Sequence, residues 1–328
     1  MSTVDNEVLN MLNAIDDTIN KDLLLNYLQS YVVSSVHLLD VNSIESLISD
    51  FSLLLKEKSS NINQDVCKFC IGLAKRLPND RIDLIRKLED IVVEKDPNGY
   101  YCYLFALHSP CADIQKLQDA IIKKDPIGEW YYLFAKNIKD ADIRKLENAI
   151  VRKNKDDGYY CYLFASGIPD ADIQRLEDAV IEKDKTGYYC WLFAKDVLDA
   201  DIQKLQQAII EKDKTGEYCY IFARDVKDVD IEQLQNAVIE KDNGGYYCYL
   251  FAKDVPEANI QKLQQAVIEK DKYGLVCMRF AKNIPKADKQ LLVKHVEGLI
   301  KKHYKERNIV DDNILFKWYH SCSTSFRF

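Results

Sequence analysis

Hydrophobic and polar positions follow the helical period through most of the chain. In DADIQKLQQAIIEKDK (199–214) apolar residues recur every three or four positions, at Ile202, Leu205, Ala208 and Ile209. Polar residues take the other side, at Gln203, Lys204, Gln206 and Gln207. This one-sided pattern is typical of a helix packed on neighbours. A shorter apolar segment precedes it, GYYCWLFAKDV (187–197). The two segments together predict a helical hairpin with a first and a second helix.

The hairpin recurs along the chain. One Phe per hairpin returns at intervals of 29 residues, with a single interval of 30, and a Gly stands six residues before each Phe. The Phe residues are Phe105, Phe134, Phe164, Phe193, Phe222, Phe251 and Phe280. Self-similarity at a fixed period is the signature of a repeat protein. Seven repeats are clear, and residues 73–96 read as a divergent eighth.

A hairpin of this length cannot bury its apolar side alone, so neighbouring hairpins are expected to stack. The predicted fold is all-α: an α-solenoid, a right-handed superhelix of stacked helical hairpins with helical caps at both ends. We expect an acidic helical N-terminal cap at 1–61 and an array of about eight repeats at 62–300, of which the seven clear ones fill 99–300. A basic C-terminal cap and tail are expected at 301–328.

The two-helix repeat resembles short HEAT-like repeats. It lacks the Trp-Leu-Gly-Tyr pattern of the tetratricopeptide unit of about 34 residues. The resemblance covers about residues 62–300 and points to no particular characterised family. It implies an architecture and says little about activity, since HEAT-like arrays serve as scaffolds, inhibitors, lyases and DNA glycosylases.

Local signals mark where the helices begin. Eight residues after each Phe stands an Asp, or Asn259 in one repeat, where a side-chain oxygen can cap the second helix. The repeated Gly suits a left-handed or cramped backbone between repeats. Pro110, Pro169, Pro256 and Pro285 fall in the predicted turn between the two helices, where they interrupt neither.

Composition narrows the function classes. Forty-five Lys and Arg against 52 Asp and Glu give a net charge of −7, which disfavours a nucleic-acid binder. Residues 1–61 have a net charge of −6 and residues 285–328 one of +4, so head-to-tail self-association is a further hypothesis. No stretch approaches the length of a membrane span and the N-terminus lacks the features of a signal peptide. We therefore expect a cytoplasmic protein.

The sequence contains few residues arranged for thiol chemistry, metal binding or catalysis. Six repeats carry a Cys three residues before the Phe, at a spacing too wide for disulfides between stacked helices, so a close-packed strip of small residues is expected. Cys67 and Cys70 form a lone C-x-x-C without a second pair at zinc spacing. The five His are scattered and no catalytic motif is present. We predict no enzyme activity, no metal and no cofactor.

Fifteen of the twenty Tyr, with Trp130 and Trp191, lie in the predicted first helices, most of them five, four or two residues before the repeated Phe. The position four before the Phe shares the apolar arc and is predicted to be core, at Tyr101, Trp130, Tyr160, Tyr189, Tyr218 and Tyr247. The position two before the Phe is always bulky and is also predicted to be buried. The position five before the Phe accepts Glu129 and Glu217 in place of Tyr, which indicates contact with water.

The exposed Tyr position and a basic position two residues after the Phe lie seven residues apart, on one side of the first helix. Repeated along the array, they predict an amphipathic strip suited to an extended peptide or an acidic chain. The candidate residues of this aromatic strip are Tyr100, Lys136, Tyr159, Tyr188, Lys195, Arg224, Tyr246 and Lys253. The alternative is that these Tyr only cover the helix ends.

The second helices carry two rows of basic residues. The first consists of Lys116, Lys145, Arg175, Lys204 and Lys262, with Gln233 as an exception, and the second of Lys124, Lys153, Lys183, Lys212, Lys241 and Lys270. Acids stand beside them, as is typical of a solvated face. A phosphate-tracking groove would need a stripe of one sign.

These features favour a non-enzymatic repeat scaffold that binds a protein or peptide along the repeat-lined face. One alternative is a nucleic-acid-binding solenoid that uses the Lys and Tyr rows. A second is a base-excision enzyme of the HEAT-like kind, although this chain has the aromatic residues without the basic surface.

Overall fold

The computed structural model describes residues 60–75, 77–153 and 157–306. Most of the predicted caps at 1–61 and 301–328 therefore lies outside the described residues. Within those ranges the chain forms sixteen helices and no strand. No helix there is long and apolar enough to cross a membrane.

The helices alternate between first and second helices of successive hairpins. A divergent hairpin comes first, with α1 at Ser60–Ala74 and α2 at Ile82–Lys95. The remaining first helices are α3 Tyr100–His108, α5 Glu129–Asn137, α7 Tyr159–Gly167, α9 Tyr188–Asp196, α11 Glu217–Asp225, α13 Tyr246–Asp254 and α15 Leu275–Asn283. The remaining second helices are α4 Ile114–Lys124, α6 Ile143–Arg152, α8 Ile173–Lys183, α10 Ile202–Lys212, α12 Ile231–Lys241, α14 Ile260–Lys270 and α16 Lys289–Glu306.

The predicted cap bond is confirmed at six of the seven clear second helices. The Asp201 carboxylate accepts a hydrogen bond from the backbone N–H of Lys204 at 3.0 Å, and Asn259 accepts from that of Lys262 at 3.1 Å. Equivalent bonds join Asp113 to Lys116, Asp142 to Lys145, Asp230 to Gln233 and Asp288 to Leu291. Each satisfies a backbone donor that the first turn of a helix leaves open.

Each of the seven clear first helices follows a Gly in the left-handed region, with φ between 76° and 106°. The same Gly packs against the second helix of its own hairpin. A Cβ at Gly245 would stand 3.2 Å from the Cα atom of Val267. The predicted need for Gly is confirmed on both counts, positive φ and close approach.

A buried Asp three residues before that Gly organises the same turn. One carboxylate oxygen of Asp213 accepts from the backbone N–H groups of Thr215 and Gly216 at 2.8 and 3.0 Å, and the other from that of Cys219 at 2.9 Å. The same arrangement occurs at Asp96, Asp184, Asp242 and Asp271, and at Asp125 with the Trp130 N–H as the last donor. The repeat that begins at Gly158 has Lys155 at this position. Elsewhere the carboxylate ends one hairpin and fixes the direction of the next first helix.

The chain divides into two compact blocks. Among the described residues, the N-terminal block contains 60–75, 77–153 and 163–172, and the C-terminal block contains 157–162 and 173–306. In the C-terminal block the first helices α9, α11, α13 and α15 each contact the next, as do the second helices α10, α12 and α14. In the N-terminal block α1, α3 and α5 form one such series and α2, α4 and α6 the other.

The core lies between the two series of helices. The repeated Phe, such as Phe193, Phe222 and Phe251, are fully inaccessible to solvent. Leu205, Leu234 and Leu263 meet them from the second helices' side and are equally inaccessible. Within each block, stacked hairpins share an apolar interior, which is the architecture of an α-solenoid and is what the 29-residue period predicts.

Candidate functional site

The first helices of the C-terminal block place the aromatic strip. Tyr188 is the first residue of α9 and Lys195 the eighth. Seven residues make about two helical turns, so the two side chains leave the same side of the helix about 10 Å apart along its axis. Arg224 in α11 and Lys253 in α13 occupy the position of Lys195, and Tyr246 that of Tyr188.

The Tyr residues that begin these helices are open to solvent. Tyr159, Tyr188 and Tyr246 expose 39%, 38% and 43% of their surface. Within the described residues their hydroxyl groups form no hydrogen bond. In the N-terminal block, Tyr100 is half-buried because its ring lies 4.9 Å from that of Trp130.

Aromatic contacts pass from one first helix to the next. In the C-terminal block the ring centroids of Tyr159 and Tyr189 are 5.8 Å apart and those of Tyr188 and Tyr218 are 6.0 Å apart. The next junction has Tyr220 and Tyr247 at 6.4 Å. Every junction from α7 to α13 therefore carries a pair of rings at typical aromatic distances.

The residues four positions before the repeated Phe are less buried than predicted. Of the six residues predicted to be core, only Tyr101 is buried, and Trp130, Tyr160, Tyr189, Tyr218 and Tyr247 are half-buried. In the C-terminal block Tyr160, Tyr189 and Tyr247 pack edge-on to the exposed Tyr that precedes each, as Tyr189 does on Tyr188 at 5.0 Å. They stand in the first turn, where the neighbouring helix covers only one side of the ring. The aromatic surface is wider than predicted as a result.

Three cations of the strip lie over the aromatic ring four residues before them, and not beside the residue seven positions before them. Lys195 Nζ stands 5.1 Å from the centre of the Trp191 ring, and the Arg224 guanidinium 5.3 Å from that of Tyr220. In the N-terminal block Lys136 lies over Tyr132 and donates to its hydroxyl at 3.0 Å. The four-residue spacing brings these pairs together on one helix, whereas Tyr188 and Lys195 remain two turns apart.

Acids neutralise several of these cations. Arg224 donates to both oxygens of Asp225 at 2.6 and 2.9 Å, and Lys253 Nζ lies 3.5 Å from Asp254. The Arg224 guanidinium lowers the pKa of the Asp225 carboxyl. The strip therefore presents paired charges between its aromatic rings.

The residue two before the Phe links adjacent repeats. The Tyr162 hydroxyl donates to Asp196 at 2.7 Å, and that of Tyr220 to Asp254 at 2.7 Å. Where the partner is an amide the direction reverses, because Asn283 donates to the Tyr249 hydroxyl at 2.8 Å. Burial, with help from Asp196, raises the pKa of Tyr162 to about 12, so its hydroxyl stays a donor at neutral pH.

The first row of basic residues on the second helices forms ion pairs between repeats. Lys145 Nζ lies 2.5 Å from Asp119, Lys262 lies 3.0 Å from Glu232, and Lys204 pairs with Asp178. Each partner belongs to the preceding repeat. These pairs fit the predicted mixed-charge face.

The second row corrects the prediction of a solvated face. Lys241 Nζ donates to the backbone carbonyl of Asp213 at 2.7 Å, and Lys270 to that of Asp242 at 2.7 Å. In the N-terminal block Lys124 reaches the Asp96 carbonyl in the same way. These lysines are half-buried because each binds the C-terminal end of the preceding second helix, where the helix dipole favours a cation.

The second helices from α2 to α14 each contain a buried Glu or Gln that the sequence pattern did not predict to be buried. Gln206 was predicted on the polar side, yet only 1% of it is exposed. Its side-chain oxygen accepts from the backbone N–H of Asp230, the cap of the next second helix, at 2.8 Å. Glu89, Gln118, Glu147, Glu177, Gln235 and Gln264 bind the next cap in the same way. The restriction of this position to Glu and Gln in seven successive repeats was the available signal.

Eight of the nine cysteines of the described residues are buried, and Cys111 is half-buried. The structure records no disulfide among the nine cysteines of the described residues. Burial, aided by nearby Asp96, raises the pKa of the Cys67 thiol to about 12, and burial with Asp271 does the same for Cys277. Both therefore remain thiols at neutral pH. No group of three or more His, Cys, Asp or Glu in the described part is arranged to hold a metal.

An open cavity of about 420 Å³ lies at the N-terminal ends of α12 and α14. Its lining residues are Val229, Asp230, Ile231, Glu232, Gln235, Glu257, Asn259 and Lys262. Asp230 and Asn259 are helix caps and Lys262 pairs with Glu232. The cavity therefore lies at the contact between two adjacent repeats, and several of its polar groups already bind one another.

Comparison of the chain with protein-family models, curated proteins and solved structures finds no match. The fold itself, a repeated array of paired helices, defines the class as that of helical-repeat proteins.

Proposed function

We propose that this protein is a non-enzymatic scaffold that binds a protein or peptide partner along the aromatic strip, and that its repeats are HEAT-like in kind. One observation carries the proposal. In the C-terminal block, exposed Tyr rings and the half-buried rings beside them continue from one first helix to the next. Exposed, contiguous aromatic surface is typical of protein recognition sites.

The second helices are a less suitable binding surface, because their buried and paired polar side chains are used within the stack. Their buried Glu and Gln bind caps of the next repeat, and their lysines bind acids and carbonyls of the preceding one. These polar groups hold the stack together. The first helices instead leave ring surface and hydroxyl groups exposed.

A nucleic-acid partner is the second candidate, and the paired charges weigh against it. A protein that neutralises phosphates needs cations that are available to them, whereas Arg224 and Lys253 already face acids on their own helices. A base-excision enzyme would need the same contacts with DNA. We also propose that the protein acts without a cofactor and that it is located in the cytoplasm.

A random-peptide display library tests the proposed function. We expect the wild type to enrich peptides that the double variant Tyr188→Ala, Lys195→Ala no longer binds. The variant should stay folded, since both side chains are exposed, and circular dichroism would check this. Gln207→Ala with Glu211→Ala is the matched control, because this exposed pair lies on second helix α10 and is joined by a 2.9 Å hydrogen bond.

Enrichment of the same peptides by wild type and strip variant would contradict the proposal. So would tight binding of single-stranded DNA with an affinity that falls steeply with salt, which is the behaviour expected of phosphate neutralisation.

A further inference from the structure

We infer that the strip of the C-terminal block takes a proline-rich segment in the polyproline II conformation. This inference rests on the proposed function and names the chemistry of its partner. It follows from three properties of the first helices: the spacing of their rings, the cancellation of their charges and the hydroxyl groups they leave unused.

The spacing comes from the stack itself. Packed helices lie about 8–10 Å apart, and every junction from α7 to α13 carries one aromatic pair. The aromatic pairs therefore recur at about 8–10 Å. A polyproline II helix has three residues per turn and rises about 3.1 Å per residue, so equivalent side chains recur every ~9 Å. One turn of such a peptide matches one repeat of the array.

Charge complementarity favours an uncharged partner over an acidic one. Arg224 faces Asp225 and Lys253 faces Asp254 on the same helices. Lys195 covers the Trp191 ring, and it adds to the effect of Arg224 in lowering the pKa of the Asp225 carboxyl on the next first helix. A polyanion would have to break such pairs to gain new ones. A proline-rich segment brings no charge and places apolar rings on aromatic ones, which is how aromatic-lined grooves recognise it.

Unused hydroxyl groups supply the polar contacts. The backbone carbonyls of a polyproline II segment have no internal partners. Tyr159, Tyr188 and Tyr246 are exposed, and within the described residues their hydroxyl groups bond no other group. Each can donate to one carbonyl of the bound segment. A flexible peptide would have to lose more conformational entropy to meet the same donors.

The row has one gap, which makes the inference testable by gain as well as loss. Glu217 begins α11, where Tyr188 and Tyr246 begin the helices on either side. Glu217→Tyr would complete the row. We expect it to tighten binding about two- to tenfold, the range of one added aromatic contact.

The probe is an oligoproline of about twelve residues, roughly 37 Å long and enough to cross the junctions from α7 to α13. We expect calorimetry to detect binding to the full-length protein with little dependence on salt. Tyr188→Ser should weaken it about tenfold, whereas Gln207→Ser on α10 should leave it unchanged. A Gly-Ser peptide and an oligoglutamate of equal length should bind at least about tenfold more weakly.

The outcomes separate the two proposals. If oligoproline does not bind, or binds Glu217→Tyr no better and Tyr188→Ser no worse, the inference is wrong. Strip-dependent binding of other library peptides would then leave the proposed function standing. Absence of any strip-dependent peptide would overturn both, and preference for oligoglutamate would identify an acidic partner instead.

Discussion

At the scale of single residues, one buried position records how the repeats balance charge. Where it holds Glu, a cation of the following repeat stands close: Lys116 lies 3.5 Å from Glu89, and Lys204 lies 3.4 Å from Glu177. Where it holds Gln, no cation is required. Gln206 donates to the side-chain oxygen of the neutral Gln233 at 3.3 Å, and the Lys145 and Lys262 that follow Gln118 and Gln235 pair with other acids. The carboxylate is tolerated because a cation accompanies it.

Glu177→Gln tests this balance with Gln206 as the internal precedent. Burial raises the pKa of Glu177 in the folded protein, so folding favours its protonated form. The wild type therefore loses stability as pH rises from the unfolded-state pKa through the raised folded-state pKa, and the variant does not. We expect equal free energies of unfolding at acidic pH and a gain of up to about 1 kcal/mol for the variant at neutral pH.

Urea unfolding between about pH 4 and about pH 8 measures this difference, since Glu titrates at the lower end of that range. Gln206→Glu is the reciprocal variant, and it should be destabilised because Gln233 supplies no cation. A clear loss of stability in Glu177→Gln at neutral pH would show that the ionised pair stabilises the stack.

At the scale of the helical element, a buried Asp at six of the seven junctions caps the short first helix that follows it. Asp213 holds three backbone N–H groups, including that of the Cys inside the first helix. Local chemistry of the second helices could be predicted, since an Asp before an amphipathic run is a recognisable cap. The role of Asp213 could not be predicted, because the N–H groups that its carboxylate binds lie up to six residues away, beyond a Gly in the left-handed conformation.

Asp213→Ala is expected to lower the free energy of unfolding by about 2–4 kcal/mol, because it leaves three N–H groups without an acceptor. Asp213→Asn should cost less, since its single oxygen can still serve Thr215 and Gly216. Lys214→Ala, a change at an exposed neighbour, is the control and should fall within about 0.5 kcal/mol of wild type. Fast exchange at the Cys219 amide would locate the defect, and equal stability of the Ala variant and wild type would refute this role.

At the scale of the molecule, the 29-residue period was enough to predict hairpins, caps and an α-solenoid. Such features depend on the sequence within one repeat. The links between repeats could not be predicted, because they depend on which side chains of two hairpins meet: Gln206 with the Asp230 N–H, or Lys241 with the Asp213 carbonyl. The aromatic positions were predicted, but their partners and the exposure of residues such as Tyr189 were not.

The linking chemistry stops at α16. The register that places Gln264 and Lys262 in α14 places Val293 and Leu291 in α16, and neither can accept a cap N–H or pair with an acid. A further repeat of the same kind would find no acceptor there. Within the described residues, the last link of this kind joins Gln264 of α14 to the Asp288 N–H.

Amide hydrogen exchange with and without the oligoproline probe tests most directly whether the first helices bind while the second helices hold the stack. The account predicts added protection in α9, α11 and α13, with α10, α12 and α14 unchanged. Protection centred on the second helices, or none under conditions where the peptide binds, would contradict it.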